Sequence, residues 1–343
     1  MTKKTLRSLT IYLLALATLA VGHGGTAARS ARVQAVDVTA RGLPFDSGRP
    51  EHTQFGKLEW RGTLQLTSPN KDFGGFSGLT IDKTGTRLLA VSDQGMMLSA
   101  RLSYENGKLA NLRDAKLGPI RGLRGQVFTS KRNSDSEAIA MAVPGKTSGK
   151  AYIAFERNHR IAVHNISGTG LSPAKRLVKL PRELKAASRN KGIEAMTVVR
   201  AGPSKGAIAA FTEEHLDANG DHIGWLLGGR KPGRILLKRL GGFAITDIAS
   251  LKNGDLVVLE RRFRMLEGVK MRLRRIKAGD VRVGATLGGE VLLTANALRE
   301  IDNMEGIAVH QDRKGRDILT LISDNNFNTR IQRTLLMQFA IAE

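Results

Sequence analysis

The chain has 343 residues, a formal net charge of +23 and no cysteine. The lack of cysteine excludes disulfides and thiolate metal sites, and the excess of Lys and Arg favours acidic partners. Nucleic acid is excluded as a partner, because the basic residues are spread along the whole sequence and aromatic residues, at 5%, are too sparse for a base-stacking surface.

Residues 1–28 have the pattern of a secretory signal peptide. An uncharged apolar run over residues 9–21 follows a basic start and precedes small residues. The run is too short to cross a bilayer, so we expect a periplasmic or secreted protein with no integral membrane segment in the mature chain. The basic residues are Lys3, Lys4 and Arg7, and the small residues that fit a cleavage site are Ala28, Ala31 and Ala35.

Residues 29–48 are polar, and we expect them to form a loosely ordered N-terminal segment. The remaining chain, residues 49–343, is predicted to form a single domain, because a degenerate repeat runs evenly through it. The even spacing disfavours a pair of β-sandwiches.

Each repeat has two short β-rich runs joined by a turn, which is the pattern of a β-hairpin. The first run starts with an acidic or hydroxyl residue, and the second run ends on an acidic residue. Antiparallel pairing returns the end of the second run to the level of the start of the first. In chain order, the starts are Ser77, Glu137, Glu194, Asp247 and Glu305, and the ends are Asp93, Glu156, Glu213, Glu260 and Asp324.

The repeat predicts an all-β fold, a β-propeller of four-stranded antiparallel blades. We expect six blades, with residues 55–66 and 334–342 forming the sixth, and five blades as the alternative. Pairing the first strand with the last would close the ring and leave no exposed sheet edge.

Several short stretches of the repeats resemble the phytase-like family, also called the esterase-like activity of phytase family. The resemblance covers roughly residues 55–342, and it implies a bacterial exported or periplasmic propeller that hydrolyses esters or phosphate esters. The stretches lie at residues 74–79 (GGFSGL), 92–95 (SDQG), 259–263 (LERRF), 303–307 (NMEGI), 323–327 (SDNNF) and 332–334 (QRT).

Acidic residues at equivalent strand ends would form a ring at one mouth of the propeller channel. Like charges at short range raise one another's pKa unless a cation lies among them. Ca²⁺, which takes six to eight oxygen ligands, is therefore a candidate cofactor. For any single acid the alternative is a structural role, such as accepting backbone N–H groups. The predicted metal ligands are Asp93, Glu137, Glu156, Glu194, Glu213, Asp247, Glu260, Glu305 and Asp324.

Arginines follow several of these strand ends and can pair with the ring or bind a substrate phosphate through two nitrogens. These are Arg157, Arg160, Arg261 and Arg330, of which Arg157, Arg261 and Arg330 are the predicted substrate-binding residues. The candidates for catalytic acids or bases are Glu305, Asp324 and Glu260.

The sequence therefore indicates a metal-assisted phosphoester or ester hydrolase that acts on a small anionic substrate, and we expect a monomer. A G-x-S-x-G nucleophile elbow and an H-E-x-x-H zinc motif are both absent from the sequence. The alternative is a non-catalytic periplasmic propeller that binds an anionic ligand or an envelope partner through its basic surface.

Overall fold

The structure is a computed structural model that describes residues 32–168, 170–187 and 192–342. The predicted signal peptide and its cleavage sites at Ala28 and Ala31 lie outside the described residues. Within those ranges, no helix has both the length and the apolar character needed to cross a membrane.

The chain folds into five antiparallel blades around one axis, preceded by four strands. The first four strands are β1 (Gln34–Ala35), β2 (Thr39–Leu43), β3 (Gln54–Phe55) and β4 (Leu58–Thr67). Blade 1 contains β5 (Phe76–Ile81), β6 (Arg87–Ser92), β7 (Met96–Glu105) and β8 (Lys108–Pro119). After helix α1 (Lys131–Ser134), blade 2 contains β9 (Ser136–Met141), β10 (Gly149–Phe155), β11 (Arg160–Ser167), β12 (Gly170–Leu171) and β13 (Arg176–Leu177).

Helix α2 (Arg182–Ala186) leads to the last three blades. Blade 3 contains β14 (Ile193–Val198), β15 (Ile208–Leu216), β16 (His222–Leu227) and β17 (Gly233–Leu237). Blade 4 contains β18 (Ala244–Ser250), β19 (Leu256–Arg264), β20 (Gly268–Ile276) and β22 (Glu290–Asn296), and the intervening β21 (Thr286–Leu287) pairs with blade 3. Blade 5 contains β23 (Met304–Gln311), β24 (Asp317–Ser323) and β25 (Thr334–Ile341).

The propeller is closed by strands from both ends of the described chain. Strand β4 pairs with β25, and β2 pairs with β4, so both complete the blade begun by β23 and β24. The two segments expected to form a sixth blade therefore belong to the fifth, and the propeller has five blades, the predicted alternative. This pairing removes the open edges that an unclosed ring would leave.

The inner strands β5, β9, β14, β18 and β23 contact one another in cyclic order and surround the axis. Both faces of a blade are buried, because each sheet is packed between its two neighbours. In β6, Leu88 and Ala90 pack into one apolar cluster, whereas Leu89 and Val91 pack into another. This alternation follows from the two-residue period of a β-strand, so neighbouring positions in one strand face different blades.

The N-terminal segment differs from its sequence expectation. Residues 32–48, the described part of the segment expected to be loosely ordered, contain β1 and β2. Phe45 is buried and makes edge-to-face ring contacts with Phe55 and Phe339, at centroid distances of 4.7 and 5.0 Å. Burial of an aromatic side chain stabilises this segment in an ordered conformation, which its polar composition did not predict.

Candidate functional site

Each of the five inner hairpins has a β-bulge near the start of its first strand. The pairing register skips one residue in every blade, and a bulged residue aims its side chain in a new direction. The unpaired residue of each bulge therefore occupies the same structural position in all five blades, whatever its residue type. The skipped residues are Ser77, Glu137, Glu194, Thr246 and Glu305.

The same register defines the equivalent positions at the end of the second strand. In each blade, one residue of the second strand pairs with the first-strand residue that precedes the bulge. The next residue of the second strand has its side chain at the propeller mouth. In blade 4, Ile245 pairs with Glu260, so Arg261 takes the position that an acid occupies elsewhere. These equivalent residues are Asp93, Glu156, Glu213, Arg261 and Asp324.

Asp247 does not belong to the mouth, in contrast to its sequence prediction. It follows the bulged Thr246, so its side chain turns the other way and is buried between inner strands. Its two oxygens accept the N–H groups of Ile248 and Ile307, both at 2.8 Å, and it also accepts the N–H of Met196. Burial raises the pKa of Asp247 well above its usual value, and these hydrogen bonds lower it. Asp247 links blades 3, 4 and 5 and has a structural role.

Glu260 also lies away from the mouth, one residue before Arg261. Its side chain is fully buried in blade 4, where it bonds Arg272 at 2.7 Å and Arg274 at 2.6 Å. The guanidinium of Arg272 also lies 4.1 Å from the ring centroid of Phe243. Both cations therefore share the Glu260 carboxylate within the blade, and Glu260 is not placed to hold a metal or a substrate at the mouth.

The other seven predicted acids converge at the mouth, together with one acid that the sequence reading missed. Buried Glu137 interacts electrostatically with Asp135, Glu305, Asp93 and Glu156. Further interactions join the remaining acids into one group. We call this group the acidic cluster, and it consists of Asp93, Asp135, Glu137, Glu156, Glu194, Glu213, Glu305 and Asp324.

Burial and mutual repulsion raise the pKa of several carboxyls in the acidic cluster. The pKa values of Glu137 and Glu194 lie well above the usual range, first because of burial and then because of neighbouring acids. Burial and the charge of Glu305 raise the pKa of Asp324 to about 8. The acidic cluster therefore binds protons more strongly than isolated carboxylates do, and a metal ion would compete with those protons.

Three members of the acidic cluster form a compact group of oxygens. Asp135, Glu137 and Glu156 each offer one carboxylate oxygen, and these oxygens all lie within 4.8 Å of one another. Oδ1 of Asp135 is buried and accepts no hydrogen bond among the described residues, although Lys131 Nζ is 3.4 Å away. A set of buried carboxylate oxygens fits a hard divalent cation such as Ca²⁺.

Asp135 was missed because it precedes the repeat. It lies between α1 and β9, two residues before the bulged Glu137. Its Oδ2 accepts a hydrogen bond from Nε of Arg157. The only feature of the sequence that points to Asp135 is its place two residues before the acid that starts the second repeat. The other repeats have no acid at this position, so aligning the repeats does not identify it.

Within the described ranges, three cations lie against the acidic cluster. Arg261 bonds Glu213 at 3.1 Å and Glu305 at 3.4 Å, and Arg157 pairs with Asp135. Both arginines therefore lie beside the acidic cluster, and their role in substrate binding stays a prediction. Lys131, which the sequence reading missed, bridges Asp93 and Asp135 from α1.

Two arginines lie elsewhere. Arg330 is exposed after β24 and has no ion pair with any residue in the described ranges, so its role in substrate binding stays a prediction. The guanidinium of Arg160 is 3.8 Å from the ring centroid of Phe155 and faces a separate pocket.

The stability of the metal-free protein is expected to fall as the pH rises from about 5 to about 8. Over this range the folded protein retains protons, such as that of Asp324, which the unfolded chain releases near pH 4, so raising the pH favours unfolding. Melting temperatures in chelator across this range test the expectation. Asp324→Asn should reduce the loss, whereas Asp280→Asn, at an exposed position, should not. An Asp324→Asn variant with the full wild-type pH dependence contradicts it.

Most of the chain matches a known protein family. The sequence profile of a family described as "Phytase-like: Esterase-like activity of phytase" matches residues 71–327. A search of curated proteins finds no match. Among solved structures, the β-propeller domain of Cps50 (Swd1) from Myceliophteria thermophila is 9% identical, with a TM-score of 0.38, and the match covers 90% of this chain and 100% of that chain.

Proposed function

Because the chain belongs to the phytase-like family, we propose that it hydrolyses phosphate esters or related esters at the acidic cluster, assisted by Ca²⁺. The observation that carries this proposal is the convergence of Asp135, Glu137 and Glu156, whose oxygens lie within 4.8 Å of one another. We propose a periplasmic or secreted location for this activity, from the pattern of residues 1–28.

The residues of the compact group would hold the metal. A divalent cation bound there supplies Lewis-acid polarisation of the phosphoryl or carbonyl oxygen and lowers the pKa of a bound water. Arg261, Lys131 and Arg157 surround the acidic cluster and can bind the anionic oxygens of a substrate once some carboxylates are protonated or neutralised.

Two acids predicted as catalytic fit a role in proton transfer. In the metal-free protein the pKa of Asp324 is raised to about 8, so this carboxyl holds a proton more strongly than an isolated one and is the candidate to donate it to a leaving-group oxygen. Glu305 accepts a hydrogen bond from Asn303 at 2.8 Å and pairs with Arg261, so its orientation is held from two sides. Glu260 has no part in the proposal, because it is neutralised within blade 4.

The net charge of +23 supports an anionic substrate. A strongly positive protein attracts anions to its surface, whereas the acidic cluster repels them locally. A metal ion in the acidic cluster would remove this conflict by making the mouth less negative. This is a physical reason to favour metal-dependent over metal-free binding of substrate.

The proposed activity is tested by hydrolysis of p-nitrophenyl phosphate and p-nitrophenyl acetate in Ca²⁺ and in chelator. We expect turnover of at least one ester in Ca²⁺, loss of turnover in chelator and recovery when Ca²⁺ is restored. Calcium-dependent stabilisation without turnover of either ester would favour the binding propeller. Turnover that is unchanged by chelator would contradict metal assistance.

A further inference from the structure

A cavity lies beside blade 2, separate from the compact oxygen group of the acidic cluster. It has a volume of about 430 Å³ and lies between the loop at residues 121–129 and strands β10 and β11. The loop is held closed by a backbone bridge between Arg121 and Val127. We call this cavity the blade-2 pocket, and the residues that matter for its chemistry are Arg121, Arg124, Phe128, Phe155, Arg160 and His164.

Arg160 is the central feature of the blade-2 pocket. Its guanidinium lies 3.8 Å from the ring centroid of Phe155 and 5.2 Å from that of Phe128. Its nitrogens donate to the carbonyl oxygens of Asn158 and Asn133. In the described ranges, no carboxylate lies within ion-pair distance of it, although the protein has many such pairs elsewhere.

The absence of a carboxylate partner has an energetic consequence. A partly buried cation without an anion loses hydration and gains no Coulombic compensation. In agreement with this, burial lowers the pKa of Arg160 to about 10. Arg160 also has more N–H donors than the two carbonyl acceptors use. An anionic group from outside the chain would satisfy both the charge and the remaining donors.

The rest of the pocket lining combines positive charge with apolar surface. Arg121 and Arg124 add two further cations, and Arg124 is exposed at the rim. Phe128 is half-buried and packs edge-to-face on Phe155 at a centroid distance of 5.7 Å. Leu177, which also lines the pocket, is 44% exposed and adds apolar surface. The lining therefore suits a molecule with one anionic group and one apolar group.

We propose that the blade-2 pocket binds a small organic anion, with its phosphoryl or carboxylate group on Arg160 and its apolar part against Phe128. The pocket does not depend on catalysis at the acidic cluster. The two sites are neighbours, however, because α1 carries both Lys131, which pairs with Asp93 of the acidic cluster, and Asn133 of the pocket wall.

The proposal is tested by titrating the mature protein with phenylphosphonate in chelator, followed by calorimetry. Phenylphosphonate contains no ester bond, so binding is measured whether or not the protein is a hydrolase. Methylphosphonate carries the anion without the ring, benzyl alcohol carries the ring without the anion, and benzoate replaces phosphonate by carboxylate. We expect phenylphosphonate or benzoate to bind about tenfold more tightly than either partial probe.

Variants locate the binding site. Arg160→Gln is expected to weaken binding of the preferred probe about tenfold or more, because it removes a charge-assisted hydrogen-bond donor. Arg313→Gln makes the same change at an exposed turn of blade 5 and should leave binding unchanged. If Arg160→Gln does not fold, Arg124→Gln at the rim should still weaken binding several-fold at low salt and less at high salt.

Each outcome decides the proposal. Tight binding that is lost in Arg160→Gln and kept in Arg313→Gln supports it. Equal binding of phenylphosphonate and methylphosphonate would exclude the apolar contact, and equal binding of benzyl alcohol would exclude the anion contact. No binding of any probe, or wild-type binding by Arg160→Gln, would overturn the proposal and leave the proposed function at the acidic cluster unaffected.

Discussion

Replacing Glu137 by glutamine is expected to lower calcium-dependent ester hydrolysis about 100-fold or more without destabilising the metal-free protein. Glu137 supplies one oxygen to the compact group with Asp135 and Glu156, and loss of a carboxylate close to a metal costs at least as much as loss of the groups that orient its ligands. Burial among other acids raises the pKa of Glu137 and favours its neutral carboxyl, which glutamine resembles, so the metal-free fold should tolerate the substitution.

Two measurements check this expectation. The first is kcat/KM on the ester that the wild-type protein hydrolyses, in calcium. The second is the melting temperature with and without calcium, because a ligand bound only by the folded state stabilises it. In Glu137→Gln we expect the calcium-induced rise to be largely lost and the melting temperature in chelator to be unchanged or higher.

Glu105→Gln provides the matched control. Glu105 is exposed at the end of β7, far along the blade from the mouth, so both readouts should match the wild-type protein. A Glu137→Gln variant with wild-type turnover and a full calcium-induced rise would contradict the role assigned to the acidic cluster.

Replacing Glu260 by glutamine is expected to destabilise the fold by about 3–5 kcal/mol, since it leaves two buried arginines without a carboxylate. Arg274 is fully buried and Arg272 nearly so, and both bond Glu260. Their other acceptors are backbone carbonyl oxygens, such as that of Lys238, which carry no compensating charge. The free energy of unfolding from urea denaturation measures the loss.

Glu267→Gln is the control for charge removal within the same blade. Glu267 pairs with Arg262, Arg264 and Lys270 near the tip of the β19–β20 hairpin, and its side chain is 33% exposed, whereas that of Glu260 is fully buried. Water screens ion pairs that it reaches, so we expect a smaller loss of stability in Glu267→Gln than in Glu260→Gln. Losses of similar size in the two variants would show that burial of the Glu260 pairs is not what stabilises blade 4.

Glu260→Gln also separates a structural role from a functional one. Under conditions where the variant is folded, its calcium-induced stabilisation should persist, because the side chain does not reach the acidic cluster. Loss of that stabilisation in folded protein would place Glu260 at the mouth after all. We therefore expect Glu137→Gln to lose calcium-induced stabilisation but keep the stability of the metal-free protein, and Glu260→Gln to do the reverse.

Most of the acidic cluster could be predicted because hairpin geometry places strand starts and strand ends at one level. In blades 1, 2, 3 and 5 the repeat is regular, so aligning the repeats in sequence identifies the residues that face the mouth. In blade 4 the residues at these positions are Thr246 and Arg261, and the alignment instead selects the adjacent acids Asp247 and Glu260.

An error of one residue in the predicted position places the side chain on the wrong face, because side chains in a strand alternate between opposite faces. Asp247 and Glu260 are both turned away from the mouth, each into a buried network of its own. Arg261, at the true equivalent position, is a cation in the mouth and bonds two of the acids around it. Blade 4 thus supplies positive charge where the other blades supply negative charge.

The sequence by itself determined the β-propeller, its repeat and the mouth as the place where acids gather, because these follow from local hairpin patterns that recur along the chain. Only the tertiary structure decided the bulge register of blade 4, the entry of Asp135 into the acidic cluster and the closure at five blades. These features depend on hydrogen bonds and contacts between segments distant in the chain. The sequence predicts that β4 pairs with β25, but only the contacts of β25 with β24 show that this pair completes the fifth blade and does not add a sixth.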